Sequence, residues 1–295
     1  MADDGTSFPS PKQLLAAHGL HARKRLGQNF LVDPRFARRV AEAVPPGAFV
    51  VEIGAGTGSL TAALAERTRK VTTLEIDRGL AAIVRDRFAD VGNVTLVEDD
   101  ALAFDLAGAL RAETAPRAVC GNLPYYITTP LIEKILDSDS WESAVLMVQR
   151  EYARRLTAAP GTADYASLTV FVGYHCAVEK LFDVGAAGFY PAPTVSSAVV
   201  RLTPRPDRSA GIDDERALLR TIRAAFAQRR KTLANCIVAA VRSKSGDGRD
   251  EQIRGSVEGA IHAAHLNPQI RGERLSLDDF KRLANALVTA RIDIV

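Results

Sequence analysis

Residues 49–66 read FVVEIGAGTGSLTAALAE, and the fold follows from this stretch. Phe49–Ile53 is the short apolar run that a parallel strand buried on both faces requires. Gly54, Gly56 and Gly58 follow at alternate positions, and 59–66 then carries the apolar spacing of a helix. Strand, glycine turn and helix together let a backbone approach a ligand closely beside a helix N-terminus. A dinucleotide fingerprint, G-x-G-x-x-G, would place its third glycine one position beyond Gly58. Glu52, directly before the turn, suits a cationic ligand better than a pyrophosphate, whose charge it would repel.

Working outward, 71–76, 94–98, 117–121 and 144–148 read as further strands, and 80–88 and 130–136 as helices. Strands alternating with helices predict an α/β fold around a doubly wound, mostly parallel sheet. Two more strands, 176–184 and 197–202, are separated by AAGFYPAPTVS, which leaves no room for a crossover helix. They are expected to pair as an antiparallel edge hairpin. After Pro204 and Pro206 the strands cease. Residues 217–241 have amphipathic helical spacing with Asp213 or Asp214 as cap. A polar linker follows at 243–248, then a helix from 251. A last helix at 277–290 starts from the capping box of Ser276 and Asp279. The expected organisation is a flexible tail at 1–22, an α/β domain at 23–204 and a small all-α domain at 205–295.

Composition narrows the class. In 295 residues, 47% are apolar and 25% charged, as in an ordinary globular protein. No apolar run approaches a membrane span, and the start lacks the basic-then-apolar pattern of a signal peptide. Cys120, Cys176 and Cys236 are far apart and odd in number, which argues against a disulfide framework or a zinc ribbon and fits a reducing cytoplasm. His262 and His265 share a helix face, but no carboxylate or thiol pattern joins them, so no metal is expected. Net charge is only +3, yet basic residues cluster. Arg23, Lys24, Arg25, Arg35, Arg38 and Arg39 stand against one acid, Asp33. From Arg205 onward there are 17 Lys and Arg against 12 Asp and Glu, including the run Arg229, Arg230, Lys231. Such clusters neutralise phosphates or serve as a solvated face.

Further candidate site residues fall at the carboxyl ends of the strands, where open α/β sheets bind ligands. Glu75 closes the second strand and is placed to accept ribose hydroxyls. Asp99 and Asp100 close the third, either to take an adenine amine or to cap a turn. Asn122-Leu123-Pro124-Tyr125 closes the fourth. The side-chain oxygen of Asn122 and the carbonyl of Leu123 suit the two N–H groups of an exocyclic base amine, aimed by a proline-stiffened turn. Tyr125 offers a stacking face. Phe189, in FYPAP, reads either as the second face of an aromatic sandwich for an extruded base or as a buried loop anchor.

These motifs in this order resemble the KsgA family of ribosomal RNA adenine dimethylases. They are Lys24-Arg25-Leu-Gly-Gln28-Asn29-Phe30-Leu31, Glu52 to Gly58, Glu75-Ile76-Asp77, Asp100-Ala101, Asn122 to Tyr126, and Phe189 to Pro193. Ala55, where many relatives have proline, is a small departure. The resemblance implies a Rossmann-like class I methyltransferase fold with a helical RNA-binding domain. It implies S-adenosyl-L-methionine as cofactor, held by Gln28, Asn29, Leu31, Gly54, Gly56, Glu75, Ile76, Asp100, Ala101 and Asn122. From the residue chemistry above, catalysis is expected of Asn122, Leu123, Tyr125 and Phe189, and from charge clustering RNA contact is expected of Arg229, Arg230 and Lys231. The implied substrate is a pair of adjacent adenosines near the 3′ end of 16S rRNA in the 30S particle, dimethylated by a cytoplasmic monomer. A large-subunit methylating sister family, with Ile and Tyr or Phe in the motif, fits less well than Leu123 and Tyr126. A non-catalytic assembly factor would not need Asn122, and a nicotinamide oxidoreductase has no use for the NLPY element.

Overall fold

The computed structural model describes residues 9–23, 27–245 and 250–294. Lys24, Arg25 and part of the 243–248 linker therefore lie outside the described residues. The chain divides into two compact units. One gathers the described residues up to Ala153 with Val178–Pro204, and the other gathers Arg154–Ala177 with the described residues from Arg205.

The first unit begins with α1 (Pro11–Ala17), β1 (Phe30–Leu31) and α2 (Pro34–Ala43). Helix α1 corrects the expectation of a flexible tail through residue 22. Ser10 and Gln13 form a reciprocal capping box with Pro11 in the first turn. Leu14 and Leu15 pack with Phe30, Leu80 and Ile83, which supplies the burial a short helix needs. Then follow β2 (Phe49–Ile53), α3 (Ser59–Ala65), β3 (Lys70–Leu74), α4 (Arg78–Arg87), β4 (Val94–Val97), α5 (Leu106–Arg111) and β5 (Arg117–Asn122). The chain continues through α6 (Thr128–Asp137), β6 (Ser143–Gln149), α7 (Arg150–Leu156), α8 (Ser167–His175), β7 (Cys176–Val184), β8 (Phe189–Tyr190) and β9 (Ser197–Pro204), of which α8 belongs to the second unit.

The main sheet has the order β4-β3-β2-β5-β6-β9-β7. Strands β4, β3, β2, β5 and β6 run parallel, and β9 joins β6 antiparallel with Ala144 opposite Leu202. The two late strands are neighbours at one end of the sheet, as expected of a hairpin without a crossover helix. The strand order reverses between β2 and β5, which places the topological switch point at the carboxyl ends of these two strands. Gly121 makes the close β2–β5 approach possible: a Cβ there would lie 2.5 Å from the Ile53 carbonyl oxygen.

The second unit contains α8, α9 (Glu215–Phe226), α10 (Leu233–Ser245), α11 (Asp250–Ala263) and α12 (Leu277–Thr289) around a core that includes Tyr174, Leu218, Ile237, Ile261 and Phe280. Asp214, not Asp213, caps α9. Ser276 and Asp279 form the predicted box at α12. Two expectations change. The helix read across 217–241 is two helices broken at 227–232. The helical unit also claims Arg154–Ala177, which the 23–204 domain was expected to hold. Tyr165 accounts for part of this, because it is buried in the helical core and donates its hydroxyl to the Leu275 carbonyl at 2.7 Å.

Candidate active site

The carboxyl ends of β2, β3 and β5 open onto a cavity of about 400 Å³, within the range of small-molecule sites. The glycine turn forms one wall. Gly54, Gly56 and Gly58 all have positive φ. At Gly56 the φ is +58° and a Cβ would fall 3.0 Å from the Phe30 ring, so a side chain is excluded twice over. The Gly56 N–H donates to Glu75 Oε2 at 2.9 Å, and Asp77 N–H donates to Glu75 Oε1 at 2.9 Å. Glu75 is thereby held at the cavity wall with one further lone pair on each oxygen. Burial raises its pKa, opposed by these backbone donors. Beside it Ile76 is 65% exposed, and its apolar surface lines the cavity.

Asp99, Asp100 and Ala101 contribute a second wall. Asp100 Oδ1 accepts the Leu102 N–H at 2.9 Å and so caps its own turn, which leaves Oδ2 for a ligand. Gln28, Asn29 and Leu31 form a third wall. Gln28 accepts the Arg23 backbone N–H at 2.8 Å and donates to Asp77 at 3.3 Å. Arg23 also pairs with Asp77 at 3.0 Å.

Asn122 ends β5 at the cavity. Its Nδ2 donates to the Asn29 carbonyl at 3.0 Å, which fixes the amide orientation, and its Oδ1 is buried with no hydrogen-bond partner. A buried acceptor left unmade costs ~1–3 kcal/mol, so such an atom marks a ligand position more strongly than a packing role. Leu123 donates its N–H to Met147 and lines the cavity. Pro124 leads into a one-turn 3-10 helix, Tyr125–Ile127. The Tyr125 hydroxyl is 2.8 Å from Ser197 Oγ on β9, and burial raises the phenol pKa. Ser197 orients the aromatic residue, a role that nothing in its local sequence signals.

Phe189 takes the buried-anchor alternative of its two readings, and Glu52 departs from expectation. Phe189 is 4% exposed, pairs through β8 with Leu31 of β1, and packs in the core with Leu31, Val184 and Val199. It is absent from the cavity lining, because the antiparallel β1–β8 pair turns its ring into the core. Glu52 does not face a ligand either. It is fully buried, and its Oε2 accepts the hydroxyls of Thr61 at 2.6 Å and Thr73 at 2.7 Å, tying α3 to β3. Arg229, Arg230 and Lys231 lie exposed in the break between α9 and α10. Arg229 also donates to the Ala163 carbonyl at 3.1 Å and sits 3.8 Å from Glu273. Among the described residues there is no group of three or more His, Cys, Asp or Glu able to hold a metal ion, and no helix is long and apolar enough to cross a membrane.

A glycine turn and strand-end acids at the switch point of a mostly parallel sheet, with an antiparallel strand near its edge, define a Rossmann-like methyltransferase. The chain belongs to the ribosomal RNA adenine dimethylase family, whose model matches residues 19–256, and is thus an rRNA adenine dimethyltransferase. It is 40% identical over 283 residues to a ribosomal RNA small subunit methyltransferase A from Geobacillus thermodenitrificans (strain NG80-2), covering 94% of each chain. With the protein of the same name from Streptococcus pneumoniae (strain CGSP14) it shares 37% over 282 residues, covering 94% of this chain and 95% of the other. Among solved structures it is similar to a dimethyladenosine transferase from Plasmodium falciparum, with a TM-score of 0.75 and 25% identity over 90% of this chain and 100% of that one. The 23S rRNA methyltransferase ErmE gives a TM-score of 0.65 and 27% identity over 88% and 100%.

Proposed function

We propose that this chain transfers methyl groups from S-adenosyl-L-methionine to the N6 amines of two adjacent adenosines near the 3′ end of 16S rRNA. The substrate is the 30S particle or its late precursor, and the product is N6,N6-dimethyladenosine made during small-subunit biogenesis. The setting is the cytoplasm, where ribosomes are assembled, and the working form is a monomer. The name shared by the bacterial relatives supports the small subunit over the large one.

The observation that carries this reading is Asn122: one amide atom is committed to Asn29, and the other is a buried acceptor without a donor. An adenine amine supplies the missing donor. When bound, S-adenosyl-L-methionine supplies a methyl group made electrophilic by its sulfonium. Glu75 accepts the ribose hydroxyls, Asp100 accepts the adenine amine of the cofactor, and Ile76 packs on its ring. Gln28, Asn29 and Leu31 cover the methionine end, and Gly54, Gly56 and Ala101 leave space for the backbone to approach. Asn122 Oδ1 and the Leu123 carbonyl accept the two N–H groups of the target amine. That pulls the nitrogen lone pair out of conjugation with the purine, while Tyr125 holds the base by stacking. No strong base is required, because the alkylated amine is acidic and releases its proton to water. Rate enhancement then comes from positioning and fixed dipoles. Arg230 and Lys231, with Arg229, contribute phosphate contacts from the helical unit.

The test is to incubate the protein with labelled methyl donor and unmethylated small or large subunits and to map the modified bases. Label confined to a small-subunit adenosine pair is expected, and label on the large subunit would refute the assignment. Asn122→Ala should retain donor affinity and lose methyl transfer by about 10²-fold or more.

A further inference from the structure

Among the described residues three large apolar side chains stand exposed: Ile76 at 65%, Tyr126 at 62% and Val195 at 43%. The proposed function uses Ile76. It leaves Tyr126 without a role, although this residue also lines the cavity. Tyr125 and Tyr126 are consecutive in one 3-10 turn yet treated oppositely. Tyr125 is drawn in by Ser197, whereas Tyr126 turns outward and lies over Gly27, where a Cβ would meet its Cδ1 at 3.7 Å. The ring thus lies beside Gly27 and is largely open to solvent. Pro124 and the Thr128 side chain, which donates to the Pro124 carbonyl at 3.1 Å, hold the turn that presents it.

An exposed flat aromatic face at a pocket mouth is what single-stranded nucleic acid recognition uses. A need for such a surface also follows from the chemistry. Drawing one base into the pocket breaks its stack with the neighbouring base and exposes that neighbour to water.

We propose that Tyr126 is a second nucleobase site, on which the base adjacent to the one in the pocket stacks while the methyl group is transferred. This rests on the RNA substrate assigned above. The ring replaces the stacking partner that the extruded base removes.

The test measures methyl transfer to unmethylated small subunits by wild type, Tyr126→Ala, Tyr126→Phe and Tyr126→Trp, with donor Kd measured in parallel. Tyr126→Ala should raise KM for the particle about fivefold or more, the low end of the range for one base–aromatic stack. Tyr126→Phe and Tyr126→Trp should stay within about twofold of wild type, because a stack needs a π-face and not a hydroxyl. Donor Kd should be unaltered throughout. An unchanged KM in Tyr126→Ala overturns the proposal. So does a weakened donor Kd that accounts for the whole loss, since the ring would then only brace Gly27. If wild type itself leaves small subunits unlabelled, the failure belongs to the proposed function and not to Tyr126.

Discussion

Replacing Glu52 by glutamine removes a titration from the middle of the α/β unit, and its size follows from the site. Glu52 is fully buried on β2, and its pKa is raised from 4.5 to about 7. Desolvation is the largest cause. The Thr61 and Thr73 hydroxyls oppose it, and the nearby Glu75 charge adds to it. The folded state therefore holds a proton that the unfolded chain has released. The stability this contributes is fully present below pH 4.5 and is lost as pH rises to about 7. At 1.36 kcal/mol per pH unit the whole change is about 3 kcal/mol, of which about 2.5 kcal/mol falls between pH 5 and 8.5. Trp141 provides the assay. It is the one tryptophan of the chain, lies buried in the α/β unit and donates its indole N–H to the Ile135 carbonyl at 2.7 Å. Urea unfolding followed by its fluorescence reports on that unit, and urea, being uncharged, leaves the electrostatics unscreened. The stability of wild type minus that of Glu52→Gln should fall by about 2–3 kcal/mol from pH 5 to pH 8.5. Titrating groups that do not interact with Glu52 cancel in the difference, whereas Glu75 and Cys120, which feel its charge, contribute a smaller remainder. The glutamine NH2, unpartnered where Oε1 was, adds only a constant offset of ~1–3 kcal/mol. A difference flat to within about 0.5 kcal/mol, or one rising with pH, would show that the threonine hydroxyls outweigh burial.

Gly121→Ala places a methyl 2.5 Å from the Ile53 carbonyl oxygen, between paired backbones that have no slack. It should cost about 2 kcal/mol or more in the same Trp141 unfolding assay, and an unchanged urea midpoint would mean that the β2–β5 spacing relaxes freely. Ser197→Ala and Tyr125→Phe should each lower kcat/KM for unmethylated small subunits about fivefold, the worth of one ordinary hydrogen bond. The double variant should lose no more than either single one, and additive losses would uncouple the two residues.

How much of this was legible depends on where each signal resides. The glycine turn, the strand-end acids and Asn122 announce themselves because backbone conformation and topology dictate those residue types locally. Helix α1 was equally readable, since Ser10, Pro11 and Gln13 spell a capping box, yet the small polar residues before it suggested a tail. Helix α8 was not readable: Thr169, Val170, Val172, Tyr174 and His175 are buried around its circumference, which erases the helical period. The break between α9 and α10 contains no glycine or proline, so apolar spacing on either side reads through it. Glu52 and Phe189 are undecidable locally for a different reason. Whether a carboxylate meets a ligand or two threonines, and whether a ring meets a base or a core, is decided by partners 9 to 158 positions away.

That last distance also explains why the site cannot be divided into a cofactor half and a target half. Asn29 gives its carbonyl to Asn122, and one and two residues later Phe30 and Leu31 pair with Tyr190 and Phe189. The Phe30 ring in turn fills the space that keeps Gly56 bare, and the Gly56 N–H holds Glu75. The segment 29–32 thus touches Asn122, the Gly188 carbonyl and the glycine turn that holds Glu75 at the cavity wall. Phe189 touches the site through the placement of β1. Its ring anchors the segment that orients Asn122, which is the buried-anchor alternative that the FYPAP stretch leaves open.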